Sequence, residues 1–226
     1  LDLLLKKGIV QNKQKRNEIL AEMAEEVAAL VLADNENQSR ALSLDALRSA
    51  ARYEEYVDVM DAIIQRLRLD RVSAQIPSRE TLLNTNQKER GIPRPVLADF
   101  LGYAKMWGYD ALLQSNLPDN PIAQPFLDAY FPMRMRSDFS AYFSEHPLRR
   151  EIIATAVVNY VVNNGGIAIL SRLTAGNRMT VEQGVAAYLE ADRRLNGPVL
   201  RRQVLEKSMA LDQENAALLE IEEAVQ

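Results

Sequence analysis

HPLRREIIATAVVNYVVNNGG, residues 146–166, decides the fold class. Its centre, IIATAVVNYVV, is rich in the β-branched and aromatic residues that favour strands. Length and pattern argue the other way: the run is too long for an ordinary strand and shows no apolar–polar alternation. Pro147 suits a first helical turn, and Gly165-Gly166 suits a helix end. Spanning a bilayer takes about 20 apolar residues, more than this stretch supplies. Read as a helix, it places Glu151, Thr155, Asn159 and Asn163 at four-residue steps, a polar seam on an otherwise apolar cylinder. A central helix with a partly buried seam is therefore expected. Buried amides need hydrogen-bond partners, so Asn159 is expected to join a network between neighbouring helices, with a ligand contact as the lesser alternative.

Helical spacing continues on both sides. Between Asn17 and Leu32, the residues Ile19, Leu20, Met23, Val27, Leu30 and Val31 recur at three- and four-residue steps, with Glu22, Glu25 and Glu26 off the stripe. Ser43 can cap a second long helix running to about Leu69, with Leu47, Val57, Met60, Ile64 and Leu67 facing the core. Ser78 and Thr180 have the chemistry of further N-caps, and Thr180 with Gln183 forms a capping box. The proline clusters GIPRP (91–95), LPDNP (117–121) and YFPM (130–133) punctuate the middle into shorter helices. No hairpin pattern or fixed-period repeat interrupts this, so the predicted class is all-α, an irregular multi-helix domain.

The opening LDLLLKKGIV reads as a helix end, with Lys6 and Lys7 in the last turn and Gly8 beyond it. It lacks the charged n-region and cleavage site of a signal peptide. With Leu1 rather than methionine first, the chain is expected to start in the middle of something. Its 226 residues can bury a core without staples. The absence of cysteine excludes disulfides, thiolate nucleophiles and cysteine-type zinc sites, and fits a reducing compartment such as the cytoplasm. A net charge of −4 speaks against nucleic-acid binding, which favours a basic face. The pairs Arg149-Arg150, Arg193-Arg194 and Arg201-Arg202 read as solvated faces or ion pairs.

Chemistry-bearing constellations are sparse. His146 is the only histidine, which leaves no histidine metal cluster or relay pair and favours a helix-end role. Glu54, Asp58 and Asp61 share a helical face but lack the Glu-x-x-His partners of carboxylate metal bundles, so a solvated face is expected. Phe100, Tyr103, Trp107 and Tyr109 are spaced to pack in a helix. Neither GxGxxG after a strand, a Walker loop nor a GxSxG elbow occurs. No catalytic, cofactor-binding or metal residue is assigned.

GIPRPVLADFLGYAK (91–105), YDALLQSNLPDNP (109–121), YFP (130–132) and HPLRREIIATAVVNYVVNNGG together resemble the C-terminal helical region of the large bacterial NAD-dependent glutamate dehydrogenases. RNEILAEMAEEVAALVLADNENQ (16–38) is similar to the segment after the catalytic core in that family. The resemblance runs from Leu1 to about Leu173 and is weaker beyond. HPLRREIIAT and the Arg-Pro helix start are its most specific parts. This sequence departs from the pattern at Pro93, where the family usually has threonine, and at Val96, where it usually has a glutamate that would favour the helix dipole.

The resemblance implies a parent enzyme that oxidises L-glutamate to 2-oxoglutarate and ammonia with NAD. The lysines, catalytic acid and dinucleotide fold of the family lie upstream, so no catalytic residue is carried over and no cofactor is expected in this segment itself. Residues 1–16 would end the connection to the catalytic core, and 17–226 would form a helical domain that contacts that core and takes part in a homo-oligomer, without nucleic-acid or membrane partners. A free-standing helical interaction module and a nucleic-acid-binding helical domain are the rival readings.

Overall fold

α8 (Arg149–Gly165) is the helix around which the others are arranged. In the computed structural model, which describes residues 1–86, 88–177 and 179–226, α8 packs against α2 (Lys13–Ala51), α5 (Arg94–Leu113), α6 (Gln124–Tyr130), α9 (Ile169–Leu173) and α10 (Val181–Arg194). Twelve α-helices and short 3-10 turns, with no strand, make up the regular structure of the described residues. The remaining helices are α1 (Asp2–Lys6), α3 (Tyr53–Leu67), α4 (Arg79–Leu83), α7 (Met133–Phe139), α11 (Gly197–Glu206) and α12 (Leu211–Val225). None among the described residues is long and apolar enough to cross a membrane.

The β-branched run of α8 is helical because three of its sides are apolar and all three find neighbours. Ile153, Val157, Val161 and Val162 are fully buried, and burial of this kind overrides strand propensity. The helix ends at Gly165-Gly166 as expected. It starts two residues later than expected: Arg149 is its first residue, and Pro147 lies in the preceding turn. His146 takes the helix-end role, its Nδ1 accepting from the Leu148 amide (3.1 Å) while its ring tilts against Phe131.

α2 departs most from expectation. Ser43 does not start a new helix; it lies inside a 39-residue α2, donating its hydroxyl to the Ser39 carbonyl one turn back. No glycine or proline interrupts Lys13–Ala51, so nothing stops the helix until Arg52, where the chain turns into α3. The buried face there is Ala41, Leu44, Asp45, Arg48 and Ser49, which leaves Leu47 at 46% exposure rather than in the core. Val57, Met60 and Ile64 on α3 are buried as expected. Of the N-terminal stripe only Ile19 and Met23 are buried; Leu20, Val27, Leu30 and Val31 are exposed.

GIPRP docks α5 onto α2. Gly91 has φ +75°, and a Cβ there would lie 2.5 Å from the Ala46 carbonyl oxygen. The Ile92 amide donates to the buried Ser49 hydroxyl (2.9 Å), and the Arg94 guanidinium donates to Ser43 Oγ and the Ser39 carbonyl. Pro93 is the N-cap residue and makes no side-chain cap bond. The Thr180–Gln183 capping box and the Ser78 N-cap form as expected. α1 closes in a Schellman turn, with Gly8 and Ile9 amides donating to the Leu5 and Leu4 carbonyls. Leu4 and Val10 join the common core, so residues 1–16 pack onto the same body as the rest.

Candidate functional site

The middle of α2 stands away from the body and forms one wall of a groove of about 1240 Å³. Contacts at its two ends hold this wall in place. On one side Arg134 Nε bonds Glu22 (2.9 Å) and the Met133 amide donates to Glu26; on the other, Arg40 lies 3.8 Å from Glu214 of α12. Between them Val27, Leu30 and Val31 face the groove, and Val31 is 56% exposed. Phe126 and Tyr130 of α6, Asn159 and Asn163 of α8, and Leu205 of α11 line the opposite side.

Asn159 and Asn163, the C-terminal half of the α8 seam, thus open onto this groove instead of being sealed between helices. Thr155 is exposed, and Asn159 and Asn163 are half-buried. Among the described residues Asn159 makes no side-chain hydrogen bond, and the buried Asn163 Oδ1 has no partner. The expected network around Asn159 does not form; its side chain lines the groove instead.

An ion cluster that the sequence reading did not single out borders the groove. Arg201, 8% exposed, donates from one guanidinium nitrogen to Asp192 Oδ1 (2.7 Å) and from the other to Glu222 Oε2 (2.8 Å). Tyr188 donates its hydroxyl to Glu222 (2.7 Å), and Tyr160 donates to Asp192. Burial first and the neighbouring carboxylates second push both tyrosine hydroxyls well above their usual range. The cluster ties α8, α10, α11 and α12 together. Its sequence signal was masked, since Arg201-Arg202 looks like a solvated pair; the structure splits it, burying Arg201 and leaving Arg202 exposed on the groove wall.

A second cluster closes the C-terminal end of α8. Asp45 is fully buried and accepts from Tyr56 (2.6 Å), Arg48 (3.2 Å) and the Ile167 amide (3.0 Å). Arg48 also donates to the Asn164 carbonyl (2.6 Å), satisfying one of the open carbonyls at the helix end. Burial raises the Asp45 carboxyl above its usual range despite these donors.

The other singled-out residues have structural neighbours. Asp61 is bonded by Arg71 and Arg79, Asp58 pairs with Arg79 (2.7 Å), and Lys88 lies 3.7 Å from Glu54. This acidic face is therefore ion-paired, not simply solvated. Arg149 and Arg150 bond Asp119 and the carbonyls of Pro118, Leu113 and Ser115, pinning the start of α8 to the end of α5. Phe100 and Trp107 are buried on α5. The glycines with positive φ at 91 and 166 abut Ala46 and Asp45 instead of opening towards a ligand, so neither offers a phosphate cradle for NAD.

The sequence pattern of the family described as glutamate dehydrogenase, C-terminal, matches residues 89–225, from the GIPRP dock to the last turn of α12. The chain belongs to this family. The NAD-specific glutamate dehydrogenase of Halomonas elongata is 35% identical over 176 residues, and that of Pseudomonas aeruginosa 32% over 189. The enzyme of the same name from Mycobacterium tuberculosis is 28% identical over 192 residues. These alignments cover 76%, 84% and 85% of this chain but only 11%, 12% and 12% of those proteins. They are longer than the family match, so the likeness extends into residues before 89. The glutamate dehydrogenase C-terminal pattern also takes in α10 to α12, where the resemblance read from sequence was weakest.

Proposed function

We propose that this chain serves as a helical scaffold and regulatory region of an NAD-dependent glutamate dehydrogenase, an oxidoreductase that deaminates L-glutamate to 2-oxoglutarate and ammonia. On this reading the catalytic and NAD-binding parts lie in other regions of the parent enzyme, and this region holds them, or a neighbouring subunit, in register. Residues 1–16 form the connection and 17–226 the helical domain. The parent works in the cytoplasm as a homo-oligomer.

The observation that carries the reading is the groove beside α2. A helix that exposes Val27, Leu30 and Val31 while both its ends are anchored presents a preformed apolar surface, and contiguous apolar surface of this kind marks interaction sites. The charged residues bordering it are hydrogen-bonded to one another, which suits support more than proton transfer. Hydride transfer by a closing dehydrogenase needs its domains kept in register, and on this reading the helical region supplies that restraint.

The test is to express the parent enzyme with residues 17–226 deleted and to compare its mass by light scattering and its glutamate turnover with the full-length enzyme. Loss of assembly, of activity or of both is expected. Unchanged assembly with unchanged kinetics would refute the scaffold reading.

A further inference from the structure

On the side of the molecule where α3, α5 and α9 meet lies a smaller recess of about 460 Å³, lined by Ala62, Gln65, Arg66, Trp107, Ser171 and Thr174. We propose that this recess binds a small organic carboxylate. The inference rests on the recess alone and does not depend on the groove or on the scaffold reading.

Trp107 is 5% exposed, yet its indole Nε1–H, a donor with no acceptor capacity, has no partner. A buried donor left unsatisfied costs free energy, and native folds seldom retain one without a water or ligand to meet it. Arg66 lies over the Trp107 ring, its guanidinium 4.7 Å from the centroid, and makes no ion pair or hydrogen bond among the described residues. Its position is fixed by the indole, so its N–H fork stays available. Ser171 adds a hydroxyl without a bonded partner, and Gln65 an amide. No aspartate or glutamate lines the recess. Trp107, Arg66, Gln65 and Ser171 bring donors to the recess lining and no acid stands among them, which suits an anionic acceptor.

The chemistry selects a carboxylate over other anions. One guanidinium supplies a single positive charge, which balances a monoanionic group and leaves a phosphate dianion undercompensated. A planar carboxylate can take the Arg66 fork with both oxygens and still accept from a neighbouring N–H. The volume falls in the range of small-molecule sites and exceeds what a bare ion needs. Ala62 and the indole face give the carbon skeleton an apolar surface.

Trp107 is the only tryptophan of the chain, so the site carries its own reporter. The chain holds its own continuous core and is tested as it stands, with a ¹⁵N-labelled sample whose single indole N–H signal is followed during titration. Acetate and succinate are the probes; sodium chloride at matched ionic strength and inorganic phosphate are the controls. The indole signal is expected to move downfield saturably with the carboxylates, with half-saturation in the millimolar range, and to respond more weakly to phosphate. Arg66→Gln, at an exposed position without an ion pair, should leave the fold intact and weaken the response about tenfold or more, as removal of a charge-assisted bond does. A flat titration, a shift reproduced by chloride, or an equal response in Arg66→Gln would overturn the proposal and leave a recess that holds water. A stronger response to phosphate would overturn the carboxylate assignment.

Discussion

Gly166 and Gly197 serve the same purpose at two places. Each lies against the carboxylate of a buried Asp–Arg pair, and a Cβ on either would collide with that carboxylate, Asp45 for Gly166 and Asp192 for Gly197. Gly166 also has φ +81° and ψ 179°, a backbone region nearly closed to other residues. Gly166→Ala is therefore expected to cost about 2 kcal/mol or more, through strain and a displaced ion pair. Gly102→Ala is the control, because a Cβ there meets nothing within 4 Å on α5; it should raise stability by up to about 1 kcal/mol. Urea midpoints of the two variants check both signs, and a Gly166→Ala midpoint at the wild-type value would refute the account. Asn159→Ala makes a different point. With no partner to lose, it should change stability by less than about 0.5 kcal/mol, whereas membership of a buried network would lower the midpoint clearly. None of Asp45, Arg48, Asp192 or Arg201 could be picked out from sequence. A charged residue in a helical pattern reads as solvated, and only the tertiary placement of several separate helices makes these buried.

At the scale of elements, α8 was legible and α2 was not, for one reason seen from two sides. α8 is bounded by strong local signals, a proline turn before it and a glycine pair after it, and its apolar faces leave only one way to bury them. α2 carries no breaker over 39 residues, so Ser43, whose chemistry suits a cap, had no stop beside it and was drawn into the helix. The Ser78 and Thr180 boundaries were readable because each caps backbone groups locally, and GIPRP because its prolines suit a helix start. His146 at the start of α8 gives a pH test. Burial lowers its pKa from the ordinary value of about 6.5, and its neutral Nδ1 accepts the Leu148 amide. The folded state thus prefers the neutral ring. The sign follows: this contribution is complete above the unfolded pKa and is lost as pH falls through the lower, folded one. His146→Asn keeps a side-chain acceptor for the amide two residues on but does not titrate. Its stability relative to wild type should therefore rise between pH 8 and pH 5, as measured by urea midpoints at the two values. A constant gap would mean that His146 does not couple to folding.

For the whole molecule, the decisive feature is that a well-anchored helix leaves its best apolar residues uncovered. The sequence stripe of α2 was read as one apolar face, and only Ile19 and Met23 of it are buried; Val27, Leu30 and Val31 face a groove that the rest of the fold holds open. Local pattern cannot distinguish these outcomes, because a helix face that buries against its own domain and one that buries against something else have the same periodicity. Substitution separates them. Val31→Asp and Leu30→Glu place charge on exposed positions that pack against little, so the unfolding midpoint of the isolated chain should move by less than about 0.5 kcal/mol equivalent. In the parent dehydrogenase the same changes would bury an unpaired carboxylate wherever the groove is filled, at a cost of several kcal/mol. Weaker assembly or lower glutamate turnover is then expected, measured by light scattering and by NADH formation. If both charges lower the stability of the isolated chain, the groove closes on itself in solution. If neither chain stability nor parent assembly and turnover responds, nothing docks there, and the proposed support of a parent enzyme would have to come through another face.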